Sequence, residues 1–383
     1  MTKRSARRER LQRSLRVAGV ALFVAMFALA GLVPAIQNPP PPTDALPTAA
    51  AGNIFPEVPA GGVPINVEGF YMHPSGLYSL PKISGWERPA DQPEETVSPF
   101  GDSAITRAGA TFINNSWASV AHAFVEDDPT RNFTSPRDLD GYYDNARLAE
   151  AWVRYTGGWK EISRRIENDA LIIDTEMYFE NQTYLGRQIS RLQGRWLMVL
   201  RLVAPNNNPN LINQLQAVYV PGFRLWETAR AVPLNWSTLA DFTAGYAVRY
   251  PNTWKQADGG PGRPYTLTGE FSGVSYTLIA QARAAAAIAS VDEARAWVTA
   301  NIPNAVIQSA NAEEWAGRTA HNVSYTLADA DGNRRSTLIT LLAGPESLYT
   351  LGLSTILGGR DLLTPEALPG EINILRRTFV IIK

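Results

Sequence analysis

The side chains that could carry chemistry in this 383-residue sequence are few: three histidines, no cysteine, and some short clusters of charge. His73, His122 and His321 stand far apart, and neither His-x-x-x-His nor Glu-x-x-His occurs, so no single helix or strand offers the paired ligands of a zinc site. The lack of cysteine removes disulfides, thiolate metal sites and a thiol nucleophile. Residues 138–141 and 329–332 both read Asp-x-Asp-Gly, but position 12 of a calcium loop would fall on Ala149 and Thr340 instead of Glu. They read better as a helix N-terminal turn and a hairpin turn. Ser79 and Lys82 match Ser-x-x-Lys, yet Pro81 disfavours the helical turn that would bring them together. Gly-x-Ser-x-Gly, a phosphate loop and Gly-x-Gly-x-x-Gly do not occur, and Gly157-Gly158-Trp159 reads as a turn leading into core. The sequence therefore predicts no catalytic residues, no bound cofactor and no metal site.

What remains is charge. Glu126, Asp127 and Asp128 form an acidic run ahead of Pro129. Arg187, Arg191 and Arg195 recur at even spacing, so those within one strand share a face. These six residues are the expected partner surface, the arginines suited to an acidic protein or anionic headgroups.

The net charge of −1 hides an asymmetry. Residues 1–16 hold seven basic side chains against Glu9, a net of +6, which leaves −7 for the rest. An acidic body has no electrostatic reason to bind nucleic acid. Residues 17–36, VAGVALFVAMFALAGLVPAI, are 20 uncharged positions, long enough to cross a bilayer as a helix. The basic flank predicts an N-terminus on the cytoplasmic side and a C-terminal body outside, as a single-pass cell-membrane protein. Ala28-Leu29-Ala30 resembles a cleavage site, but the apolar run exceeds that of an ordinary signal peptide. Residues 37–65 begin with Pro39 to Pro42 and continue rich in Ala, Gly and Pro, the composition of a semi-stiff stalk.

Beyond the stalk the chain repeats itself, over 66–230 and 236–383. Each half opens on an aromatic-Pro-Trp strand signal, Tyr78-Ser-Leu-Pro81 with Trp86 and Tyr246-Ala-Val-Arg-Tyr-Pro251 with Trp254. An alternating strand follows, at 117–125 and 274–280. Ser135 and Ser290 then read as helix N-caps, each with an acid three residues on, Asp138 and Glu293. Tyr142 and Trp297 lie seven residues past each cap, on the same helix face. Three strands come next, at 170–180, 183–192 and 195–204 in one half and 321–328, 334–342 and 347–354 in the other, joined by turns too short for anything but antiparallel hairpins. Each half ends in a helix, at 210–219 and about 365–378.

This order resembles the Mog1/PsbP-like family. The residues that carry it are Tyr246-x-x-x-Tyr250-Pro251-x-x-Trp254, the capped helix at Ser290 and the hairpin after His321; the first half departs by an insertion at 89–101. The resemblance implies an α+β fold of two αβα-sandwich domains with antiparallel sheets, following an N-terminal transmembrane helix. It also implies a non-enzymatic accessory role. The expected function is a membrane-tethered, extracytoplasmic binding protein that assembles or stabilises a protein partner at the outer membrane face, with the bilayer itself engaged through 17–36. The alternatives are a cell-envelope ligand-binding or enzymatic module with a loop-built site, and a structural envelope protein.

Overall fold

The computed structural model describes residues 55–59, 62–90, 95–97, 105–226, 236–260, 263–315, 317–328, 332–356, 358–364 and 366–382. The basic tip and the apolar run at 17–36 lie outside the described residues. Among the described residues no helix is long and apolar enough to cross a membrane.

The described residues divide into two compact units, those up to 73 with 78–225, and 74–77 with those from 226 onward. In the first unit the elements are β1 (Val67–Met72), β2 (Tyr78–Ile83), β3 (Glu95–Val97), β4 (Thr106–Asn114), β5 (Ser119–Asp127), α1 (Pro136–Tyr142), α2 (Asn145–Ala151), β6 (Trp159–Glu167), β7 (Ala170–Phe179), β8 (Gln182–Gln193), β9 (Trp196–Pro205), α3 (Pro209–Gly222) and β10 (Arg224–Leu225). In the second they are β11 (Ser237–Asp241), β12 (Tyr246–Tyr250), β13 (Lys255–Gly260), β14 (Arg263–Phe271), β15 (Val274–Ala284), α4 (Val291–Asn301), β16 (Val306–Trp315), β17 (Arg318–Ala328), β18 (Arg334–Ala343), β19 (Ser347–Thr355), α5 (Gly370–Arg377) and β20 (Val380–Ile381).

Each unit is built on a seven-stranded antiparallel sheet, ordered β3-β4-β5-β9-β8-β7-β6 in the first and β13-β14-β15-β19-β18-β17-β16 in the second. The two orders are the same. A hairpin run builds one edge, a helical crossover carries the chain to the opposite edge, and a meander returns it to the middle. The last meander strand is therefore the central one, which explains why β9, WLMVLRLVAP, is apolar almost throughout and buried on both faces.

The equivalence extends to local irregularity. In β6 the ladder slips between Glu161 and Ser163, and in β16 it slips between Ile307 and Ser309. Counted from the Glu167–Ala170 and Glu313–Ala320 pairs, the two bulges fall at the same rung. The helix starts agree too. Asp138 accepts from the N–H groups of Thr134 and Ser135, while Ser290 Oγ accepts from the N–H of Glu293 and the Glu293 carboxylate accepts from Ala289. Tyr142 and Trp297 both lean on the core beneath their helices.

The expected αβα sandwich is corrected. Strands take 51% of the structure and helices 17%. One face of each large sheet carries α1 and α2, or α4 alone, over apolar cores that include Leu139, Leu148 and Trp159 in one unit and Ala294, Val298 and Val323 in the other. The opposite face is covered largely by a second sheet, β1-β2-β10 or β11-β12-β20, beside the terminal helix. The physical reason is area. Seven strands about 4.8 Å apart span roughly 29 Å across the sheet, more than one helix about 10 Å wide can cover. The strands at Tyr78 and Tyr246, read from sequence as opening each half, lie in these separate sheets.

The C-terminal end of the expected stalk is packed. Phe55 and Val63 are buried, and the Phe55 ring meets Tyr184 edge-on at 5.0 Å in the first unit's core.

Candidate partner surface

The structure ties the six marked residues into the first unit. Glu126 and Asp127 are buried at the end of β5. Glu126 pairs with Arg131 and lies 3.6 Å from Arg107, and Asp127 accepts a hydrogen bond from Arg195. Asp128 accepts from the Thr130 N–H at 2.9 Å and its hydroxyl at 2.6 Å, and pairs with Arg131 at 2.9 Å. Partial burial would raise the Asp128 carboxyl, but the Thr130 bonds and Arg131 outweigh it and hold it below the usual range.

Arg187 and Arg191 do share the face of β8 that lies under α3. Arg187 Nε is 2.5 Å from Asp174, and its Nη1 donates to Asn213 at 2.8 Å and Gln216 at 2.7 Å. Arg165 reaches the other Asp174 oxygen at 2.6 Å. Burial would raise Asp174, yet the bonds from Arg187 and Arg165 keep it low. Arg191 donates to the Phe223 carbonyl, its guanidinium 5.8 Å from that ring. Sequence reading foresaw acidic and basic groups apart; the fold brings Arg195 onto Asp127 and closes Arg187 onto Asp174.

Sequence reading missed a cluster on the other face. His122 stands opposite Arg201 in the ladder, and Arg107 lies 4.1 Å from the Phe124 ring centre. Arg201 donates to Gln188 at 2.9 Å, and Gln188 donates to Ser190 at 3.3 Å. Part of His122 reaches solvent, but its imidazole is desolvated, and Arg201, Arg107 and Arg154 add like charge. Its pKa is therefore held well below 6.5. Alternation on one strand, His122-x-Phe124-x-Glu126, was the available signal.

The other marked groups are structural. Ser79 is buried and Lys82 exposed on β2, so they face apart. A side chain at Gly157 would meet Tyr178 at 2.8 Å, so Gly157-Gly158 is a close approach of backbone to β7. Asp138 caps α1 and Asp140 pairs with Arg164 at 3.0 Å; residues 329–331 lie outside the described residues. His73 Nε2 lies 3.2 Å from the Gly109 carbonyl. Among the described residues no three His, Asp or Glu side chains converge as metal ligands.

One further feature recurs in both units. Among the described residues, the outermost meander strands, β6 and β16, pair on one side only. They display β-branched side chains to solvent: Ile162 at 55% and Ile166 at 47% exposure on β6, and Val306 at 60% on β16.

The fold is thus mainly β, two units of one strand order. No protein-family model matches the sequence, and no curated protein matches it. Among solved structures, the cyanobacterial PsbP (CyanoP) of Synechocystis sp. PCC 6803 is 17% identical, with a TM-score of 0.29, over 38% of this chain and 92% of that one. The T6SS immunity protein TplEi of Pseudomonas aeruginosa, complexed with "L" peptide, is 10% identical, with a TM-score of 0.22, over 83% and 99%. A Bacteroides thetaiotaomicron structure is 11% identical, with a TM-score of 0.25, over 38% of this chain and about half (48%) of that one.

Proposed function

We propose that the chain is a non-enzymatic binding module, tethered to the lipid bilayer through residues 17–36, whose two units hold or position a protein partner on the extracytoplasmic side. The reading rests on this chain's own geometry. The observation that carries it is the pair of outer strands: in each unit the strand at the same sheet edge has no second neighbour among the described residues, with Ile162 and Ile166 exposed on β6 and Val306 exposed on β16. Such an edge accepts an extended segment through main-chain hydrogen bonds, with side-chain pockets adding selectivity. The Arg187–Asp174–Arg165 network supports the same role by tying β8 and β7 to the edge strand β6.

A photo-crosslinking residue placed at Ile166 or Val306 of the full chain, in native membranes, tests it. The expected result is one defined membrane-protein partner from both positions and none from a label at Arg137, on α1. Labelling indistinguishable between edge and control would overturn the proposal. Added protease should reach the body from outside intact cells; protection until lysis would overturn the tether and its orientation.

A further inference from the structure

The duplicated units differ where the chain leaves the terminal helix. In the first, the chain leaving α3 presents the Phe223 carbonyl to Arg191, whose side chain fills the space between β8 and that segment. In the second, the ladder places Leu342 where Arg191 stands: Arg191 pairs with Ala170 and Met198, Leu342 with Ala320 and Tyr349. The equivalent carbonyl, of Phe379, is instead met by Trp315 Nε1 at 2.9 Å. Trp315 is available because the β16–β17 hairpin runs two rungs further, to the Trp315–Arg318 pair, than the β6–β7 hairpin, which turns after Glu167–Ala170.

The shorter Leu342 leaves a cavity of about 160 Å³, partly open to solvent. It is walled by Trp226, Trp315, Leu342, Phe379, Val380 and Ile381, with Arg318 at its rim. An enclosed dry cavity of about 150 Å³ accepts a benzene ring; this one is partly open, with Phe379 and Leu342 almost fully buried at its floor, so it admits the end of one apolar side chain. The Arg318 side chain is exposed, donates only a 3.5 Å bond to the Ala343 carbonyl, and has no carboxylate partner among the described residues. An apolar hole with an uncommitted guanidinium at its mouth suits one arrangement above others: an apolar residue with a carboxylate one bond from its Cα.

We infer that this cavity of the second unit binds the C-terminal residue of a partner polypeptide, its apolar side chain among Trp315, Leu342 and Phe379 and its terminal carboxylate on Arg318. The inference rests on the protein-binding reading above and supplies a chemical signature for that partner. Trp315 closes the outer strand β16, so a segment lying along that strand would end at the cavity.

The test uses the full chain in detergent and acetylated hexapeptides ending in Leu or Phe. Binding is read by tryptophan fluorescence, since Trp226 and Trp315 line the site, and by calorimetry. The free carboxylate peptides are expected to bind about tenfold or more tightly than their C-terminal amides, the scale of one lost charge-assisted hydrogen bond, and about tenfold more tightly than a peptide ending in Ser, which keeps the carboxylate but lacks the apolar side chain. Arg318→Gln should remove the preference for carboxylate over amide. Leu342→Arg, which installs the first unit's solution, should abolish binding; Leu342→Phe, which fills the hole with apolar bulk, guards against a folding defect, and circular dichroism checks both. Equal binding of acid and amide, unchanged binding by Leu342→Phe, or no binding by any peptide overturns the inference. So does 4-methylpentanoate alone binding as tightly as the Leu peptide, which would make the site one for small acids. Crosslinks from Ile166 and Val306 that persist while these peptides fail would leave the binding function standing and remove only this pocket's role.

Discussion

The two units solve one packing problem with the arginine on opposite sides. In the first, the sheet supplies the cation: Arg187 rises from β8 to Asn213 and Gln216 on α3 and holds Asp174 beside it. In the second, the helix supplies it: Arg376 descends from α5 to Asn322 Oδ1 at 2.9 Å and Thr340 Oγ1 at 3.1 Å, with Glu313 3.8 Å away. Burial of Arg376 lowers its pKa to about 10, Glu313 only partly offsetting the desolvation. The backbone plan is kept to the rung of a bulge, while the polar contacts between sheet and helix are reinvented. The strand order thus depends on the apolar pattern, and the buried polar groups need only be met by some partner.

That contrast can be broken most forcefully at Arg376. Arg376→Met is expected to destabilise the second unit by about 2–3 kcal/mol, because it removes the charged donor that buried Asn322 Oδ1 and Thr340 Oγ1 share and leaves those two oxygens only their bond to each other. Asp174→Asn in the part-exposed network of the first unit should cost about half as much. Urea unfolding, with hydrogen exchange to locate the weakened unit, measures both; equal costs would end the asymmetry.

The next largest effect is one of pH. His122 is held neutral in the folded state and takes its proton near pH 6.5 when unfolded. Its contribution is complete above about pH 6.5 and is lost as the pH falls, at no more than about 1.4 kcal/mol per unit. The first unit should therefore weaken by up to about 2 kcal/mol between pH 6.5 and 5, and His122→Gln should flatten that slope. An unchanged slope in the variant would show that the three arginines do not bear on His122 as described.

Arg191→Ala should copy the second unit's cavity into the first and leave the Phe223 carbonyl unmet, at about 1–2 kcal/mol. Stability unchanged by this substitution would mean that Arg191 does not fill the space. The smallest expected change is at a helix start: Ser290→Ala removes the cap on the Glu293 N–H, at about 1 kcal/mol. Thermal melting resolves it.

The local plan was readable and the assembly was not. The meander β7-β8-β9 announces itself through alternating apolar residues and tight turns, where Glu180, Asn181 and Gly194 adopt positive φ. Ser135 and Ser290 mark helix starts by residue type alone. The second sheets were hidden because β2 finds β10 more than 130 residues on, and no period in the sequence records such a pairing. The fate of the charges was hidden for the same reason. Asp127 and Arg195 lie 68 residues apart, so two clusters that read as open surface meet in the fold. The helices were legible, but their number and length, 7 to 14 residues, decide the fold class, and pattern alone gave them too much area to cover.

The matched bulges at residues 162 and 308 have a consequence for life among crowded neighbours. A protein carrying two long β-sheets risks zipping to further copies of itself, rim to rim, into an open-ended ribbon. An irregular rung in each exposed rim throws a straight incoming chain out of register after a few residues. Whatever pairs there is held to a short stretch, so an added strand at either rim cannot seed an open-ended ribbon.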